Sequence, residues 1–364
     1  MAMLTDIPIQ PDVEALRRLI VNREPQQRVH FAELFQDRPI QEEIARRYDI
    51  DMGGPPGDPV AELKFQIRLQ SFLGYDMVRA QPRLDWPFIR HEAEDTADET
   101  GTGSKKRGWQ DEHTGPISSW EDFEAFTWPD PKNYDFSIFE WAEKNVPDGM
   151  GVYTLTSHIL EWASWLMGYE NLCLKLYDDP DLVGAVFQRV GEISEAYTRN
   201  VVDFDCVKVI WGSDDMGFKG GTMIGPDDLR TYALPWHALA ARLAHEKGKM
   251  YWLHACGNLK DIMPDLIDVC RIDAKHSWED AFLPVEEAYE HYGSSIGIIG
   301  GIDVDFLCRA DETAIRRRVR KIVEQTAQRG GYCLGSGNSV TNYVPVDNYL
   351  IMLDEGRRAL SGNA

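Results

Sequence analysis

The chain has 364 residues, 43% hydrophobic and 27% charged, enough apolar material for one large α/β domain or two ordinary ones and too much for a disordered chain. Sixty acidic against 38 basic residues give a formal charge of −22, which excludes the basic surfaces that nucleic acid and anionic membranes require. No apolar run reaches membrane-spanning length, the start MAMLTDIPIQ has no signal-like apolar segment, and the six cysteines are scattered without a CxxC pair, so the expectation is a cytoplasmic, reduced protein.

In chain order, residues 12–22 form an amphipathic helix that precedes the core. Residues 28–35, RVHFAELF, read as a strand with Glu33 near its end. Asp37 and Pro39 open a helix with Ile40, Ile44 and Tyr48 on one face, and a Gly/Pro loop follows at 52–59. A helix over 61–73 leads to a second strand at 75–80. Residues 84–133, poor in apolar residues apart from Trp109, Trp120 and Trp128, read as a long insertion or lid whose aromatics fold back on the body. Apolar runs then recur at 152–155, 206–211, 250–253, 272–275, 296–299 and 332–334, each followed by a helical pattern. With the two early strands this makes eight β-α units. The expected fold is therefore α/β, a single (β/α)8 TIM barrel spanning 1–364, with an N-terminal helical extension and the insertion after the second strand. A doubly wound sheet competes, but no GxGxxG or P-loop sequence is present.

In such a barrel, chemistry belongs at the C-terminal ends of the strands. Those positions hold Glu33, His158, Asp214, Asp215, His254, Cys256, His276, Glu279, Asp303, Ser336 and Asn338. In MYWLHACGN, His254 and Cys256 are two apart and share one face of an extended backbone, as an imidazole and a thiolate that zinc accepts. The plain alternative is a buried cysteine beside a hydrogen-bonded histidine. Several of the others also have plain readings: Asp214 or Asp215 as a turn cap, Asp303 as a helix cap before Phe306, His276 as a satisfied buried histidine.

The runs DDMGFKGGTMIGPDDLRTYALPWHALAARLAHEKG, LHACGN, GGIDVDFL and GGYCLGSGNSV…PVDNYLIML resemble the uroporphyrinogen decarboxylase superfamily, strongly over 149–360 and more weakly before. The resemblance implies a (β/α)8 barrel enzyme, either a decarboxylase of a tetrapyrrole or other carboxylate (a lyase) or a corrinoid-linked methyltransferase. Of the decarboxylase markers, the N-terminal MRQAGR-like run is replaced by RVHFAELFQDRP, Asp76 falls near the pyrrole-binding aspartate, and Ser336 replaces the histidine of the LGHG turn. The methyltransferase branch is closer: its HxC zinc ligands correspond to His254 and Cys256. For the third ligand Cys333, Asn338, Glu279 and Asp303 stay open. On this reading Asp214, Asp215, Glu279 and His276 are catalytic, and Glu33, Asp76, His158, Asp303, Ser336 and Asn338 hold a small-molecule substrate. Zinc is the expected cofactor, and a corrinoid would arrive on a separate protein, since the chain has no DxHxxG signature. The decarboxylase branch also implies a homodimer.

Overall fold

A computed structural model of the chain describes residues 6–55, 57–82 and 114–360, together with the backbone of 90–94 and 106–110. Its centre is a seven-stranded, all-parallel sheet of Met77–Arg79, Gly151–Thr156, Val207–Ser213, Met250–His254, Ala274–His276, Gly297–Ile299 and Tyr332–Cys333, neighbours in space as in sequence. The first expected strand, 28–35, forms no regular ladder. It touches the sheet through single parallel bridges, Phe31 to Leu334 and Gln36 to Val340. The last strand is only two residues long because glycines bound it: Gly330 and Gly331 sit at φ +66° and +76°, and a Cβ on Gly335 would lie 2.0 Å from the Ala32 carbonyl.

Alternation along the strands separates two apolar clusters. One holds Val78, Val152, Ile210, Tyr251, Leu253 and Ile298 beneath the surrounding helices. The other holds Met77, Tyr153, Val209, Trp211, Met250, Trp252, Ala274, Ile299 and Cys333 on the concave side. Helix Val13–Val21, capped by the Asp12 carboxylate on the Ala15 amide, adds Val13, Leu16, Leu19 and Ile20 to this second cluster.

Two expected helices are interrupted, both by proline. The run expected over 226–245 divides into Pro226–Tyr232 and Leu234–Glu246, since Pro235 supplies no N–H and crowds the preceding turn. The run over 259–269 becomes a short π-helical turn, Asp265–Val269, after Pro264. Within the expected insertion, 90–94 and 106–110 pair as an antiparallel hairpin. Ile117 donates to the Leu166 carbonyl, and Arg189 lies over the Trp128 ring at 5.6 Å, so this part of the chain does return to the body. The side chains of Trp109 and of Arg83 and Arg90, two of the four arginines (with Arg38 and Arg79) expected to be available to a carboxylate-rich substrate, lie outside the described residues. Among the described residues no helix is long and apolar enough to cross a membrane.

Candidate metal centre

Strand Met250–His254 is buried throughout, and its register against Val207–Ser213 sets Ser213 opposite His254. That pairing delivers the two residues after Ser213 to the HAC turn. Asp214 turns inward and Asp215 outward. The His254 Nε2 is 3.5 Å from the Cys256 Sγ and 3.5 Å from the Asp215 Oδ1, and one donor atom from each of the three residues lies within 4.8 Å of the others. Zinc bonds of about 2.0–2.3 Å at tetrahedral angles place ligand atoms about 3.3–3.8 Å apart, so this donor set fits a zinc ion with a fourth position left for a substrate atom. Asp215 is the residue that sequence reasoning placed in an acid–base role, and the structure groups it with the candidate ligands.

The surrounding groups orient these donors. His254 Nδ1 lies 2.8 Å from His276 Nδ1, and burial, then the neighbouring His254 and Lys275, hold His276 far below the usual histidine range. A neutral His276 accepting at Nδ1 puts the His254 proton on its own Nδ1 and leaves the His254 Nε2 lone pair for a cation. Burial, then the Asp215 charge, push the Cys256 thiol well above its ordinary value, while Ser277 opposes this. Asn338 Nδ2 donates to the sulfur at 3.3 Å, and Ser277 Oγ is 3.8 Å from it. Burial also opposes the Asp215 charge, but the Cys256 amide at 3.2 Å and, while no cation holds its Nε2, a proton on His254 outweigh this and keep Asp215 below the usual carboxylate range. A bound cation would favour both anions.

Lys275, which sequence reasoning missed, stands behind this arrangement. Its ammonium donates to the carbonyls of Ala255, His276 and Ser277 and lies 4.2 Å from the Trp278 ring centre, tying together the two loops that carry the site. A lone lysine in an otherwise buried strand was the available signal. Burial lowers its pKa to about 8.

The remaining candidates separate by position. Glu279, half-buried, raises the Cys256 and Lys275 values through its charge. His158 bonds Glu161, another residue the sequence did not single out, at 2.7 Å; burial opposes protonation of His158, but Glu161 outweighs it. Asp214 is fully buried and faces away from the ligand group. It accepts from the Leu160 and Glu161 amides at the head of helix Ile159–Met167, and it lies 2.9 Å from His237, which in turn meets the Tyr251 hydroxyl. Asp303 caps helix Val304–Arg309 through the Phe306 amide and also takes the Asp280 amide, so both its oxygens are engaged.

Asp76 and Cys333 are not brought to the centre either. Asp76 precedes strand Met77–Arg79 and so lies at its N-terminal end, fully buried against Arg28, His30 and the Asp12 amide. Cys333 sits within its strand in the concave apolar cluster, and burial pushes its thiol far up. It is not part of the metal-competent group.

Glu33 and Ser336 form a separate buried pair. The Ser336 amide donates to Oε1 at 2.7 Å, Ser336 Oγ is 2.5 Å from Oε2, and Ser336 Oγ also reaches the Asn338 carbonyl at 3.2 Å. A hydroxyl donates only once, so Ser336 Oγ serves either Glu33 or the Asn338 carbonyl, and in the second case a protonated Glu33 completes the set by donating to Ser336. Burial, opposed by Ser336, raises Glu33 to about 8.

A cleft of about 500 Å³ opens beside the metal centre rather than over it, between segment 31–38, helix Pro59–Leu73 and strand Met77–Arg79. Glu33, Gln36, Gln70, Arg79, Tyr153 and Trp211 line it.

The chain belongs to the uroporphyrinogen decarboxylase (URO-D) family, whose model matches residues 112–359. No curated protein sequence matches it. Among solved structures, a methyltransferase from Methanosarcina mazei shares the fold at TM-score 0.66 and 14% identity, over 96% of this chain and 99% of that one. A Listeria monocytogenes protein described as a vitamin-B12-independent methionine synthase shares it at TM-score 0.51 and 13% identity, over 94% of this chain and 98% of that one.

Proposed function

We propose that this protein is a metal-dependent methyltransferase or demethylase that moves a methyl group between a small substrate and a corrinoid carried by a separate protein. The observation that carries the reading is the donor set of His254, Cys256 and Asp215 at the C-terminal end of the central strands, with one coordination position to spare. It is supported by the fold shared with the Methanosarcina mazei methyltransferase. On this reading the chain is one (β/α)8 barrel domain, segment 28–36 taking the place of the first strand and 84–133 serving as a lid.

A zinc ion held by these three residues would supply a Lewis acid, or lower the pKa of a substrate thiol or hydroxyl, at the open position. The protein's own groups do the rest. His276 fixes the tautomer of His254, and Asn338 and Ser277 donate to the Cys256 sulfur and hold its lone pairs in place. His158, whose hold on a proton Glu161 strengthens, lies within the field of Asp215 and can pass that proton to a leaving oxygen or nitrogen.

The alternative, decarboxylation of a tetrapyrrole, needs several free arginines around a polycarboxylate. In the cleft Arg38 is committed to Glu42 and Glu62, and Arg79 alone has no carboxylate partner among the described residues. Methyl transfer is the reading that the donor set supports. The test is incubation of zinc-loaded protein with cob(I)alamin and a panel of methyl ethers, methanol, methylamines and methyl thioethers, followed by visible absorbance. Methylcobalamin is expected from at least one donor, and the His254→Ala/Cys256→Ala double variant is expected to be at least about a thousandfold slower. Equal rates in the two proteins would refute the reading.

A further inference from the structure

The cleft beside the metal centre carries a recognition pattern of its own. Most of its polar lining is spent internally. Gln70 donates to Gln36 and Gln66, Gln66 to Gln41, and Gln36 to the Tyr349 hydroxyl, which makes a closed amide chain along one wall. Gln81 is consumed by Thr154 and by the Leu155 amide and carbonyl. Glu33 is consumed by Ser336, and Arg38 by two glutamates.

Among the described residues, two groups at the cleft have no hydrogen-bond partner at all. The Trp211 side chain is fully buried, yet its indole N–H has no acceptor. Arg79 is exposed at the cleft and has no hydrogen-bond or ion-pair partner among the described residues. The acceptors at the inner end, Glu33, Gln36 and Gln81, are all engaged. A buried indole N–H left unpaired is costly, so this indole beside an unpartnered guanidinium selects a ligand that brings acceptors. One unopposed guanidinium balances the single charge of one carboxylate, and the apolar lining of Phe31, Leu63, Met77 and Ile138 suits an alkyl chain rather than a phosphate dianion.

The two donors also lie on a path to the metal centre. Arg79 pairs across the sheet with Tyr153, whose ring is 5.1 Å from that of Trp211. The Trp211 ring is 5.6 Å from His276, the partner of His254. We propose that the cleft binds a small molecule bearing a single carboxylate, held by the Arg79 guanidinium and the Trp211 indole N–H, with its opposite end directed toward His254, Cys256 and Asp215. Only the last clause rests on the methyl-transfer reading; the carboxylate site stands without it.

The experiment is ligand-detected NMR titration of the protein with valerate, valeramide and inorganic phosphate. Valerate is expected to bind at least about tenfold more tightly than either of the others. Arg79→Met should weaken valerate at least about tenfold, Arg79→Lys should recover part of the loss, and Trp211→Phe should weaken it severalfold. Because Arg79 is exposed, its variants keep the fold, which circular dichroism checks. Equal affinity for valerate and valeramide, tighter binding of phosphate, no valerate binding, or unchanged binding in Arg79→Met would each overturn the proposal. The His254→Ala/Cys256→Ala variant separates the two readings. Valerate binding retained there alongside absent methyl transfer in the wild type would leave the carboxylate site standing and the function reading refuted.

Discussion

Gly257→Ala is expected to cost about 3 kcal/mol or more of stability, against about 1–2 kcal/mol for Gly248→Ala. Both glycines have left-handed backbones, φ +78° and +68°. Gly248, in the turn after helix Leu234–Glu246, has open space where a Cβ would be, so alanine there meets conformational strain alone. At Gly257 a Cβ would lie 2.2 Å from the Gly217 carbonyl carbon and 2.3 Å from the Phe218 nitrogen, and neither backbone can yield cheaply. The hairpin Gly217–Phe218/Gly221–Thr222 is pinned to this turn by the Asn258 amide on the Phe218 carbonyl at 2.9 Å. Alanine at 257 therefore displaces the hairpin, the Cys256 turn, or both. Denaturant unfolding of the two variants measures the difference, and equal losses would show that the close approach carries no energy.

Glu33 should make stability depend on pH in the direction opposite to an ordinary ion-paired carboxylate. Its folded value, about 8, lies above the unfolded value near ~4.3, so the native state holds a proton that the unfolded chain releases. The contribution is fully present below about pH 4.3 and is lost as pH rises through about 8. Relative to Glu33→Gln, in which the amide donates permanently to Ser336, the wild type should lose on the order of 3 kcal/mol between about pH 5 and pH 8. Glu33→Ala, which strips the Ser336 amide and hydroxyl of their partner, should cost about 1–3 kcal/mol at either pH. Unfolding midpoints of the three proteins across this range provide the check. Parallel curves for wild type and Glu33→Gln would mean that Glu33 is ionised in the fold.

The parallel α/β rhythm was legible because buried strands and amphipathic helices repeat in the chain. His254 and Cys256 were legible as a pair because two residues on one strand share a face whatever the tertiary structure. Asp215 was visible only as a polar strand end. Its place beside His254 depends on the register between two strands distant in sequence, which nothing local encodes. Cys333 misled by residue type: it is a thiol near the expected position, but a side chain in mid-strand points into the apolar cluster. Asp76 misled by one strand end, since a residue before Met77 belongs at the opposite pole from those that follow Ser213 or His254. Lys275, Glu161 and His237 act through contacts to backbone carbonyls or to neighbouring side chains, and such contacts leave no repeating pattern to read.

Elemental analysis of the purified protein, beside Asp215→Ala and the His254→Ala/Cys256→Ala double variant, tests the central claim most directly. The donor geometry predicts close to one zinc per chain in the wild type, a reduced content in Asp215→Ala and none in the double variant. A wild type that takes up no zinc after supplementation, or a double variant that holds as much as the wild type, would contradict it.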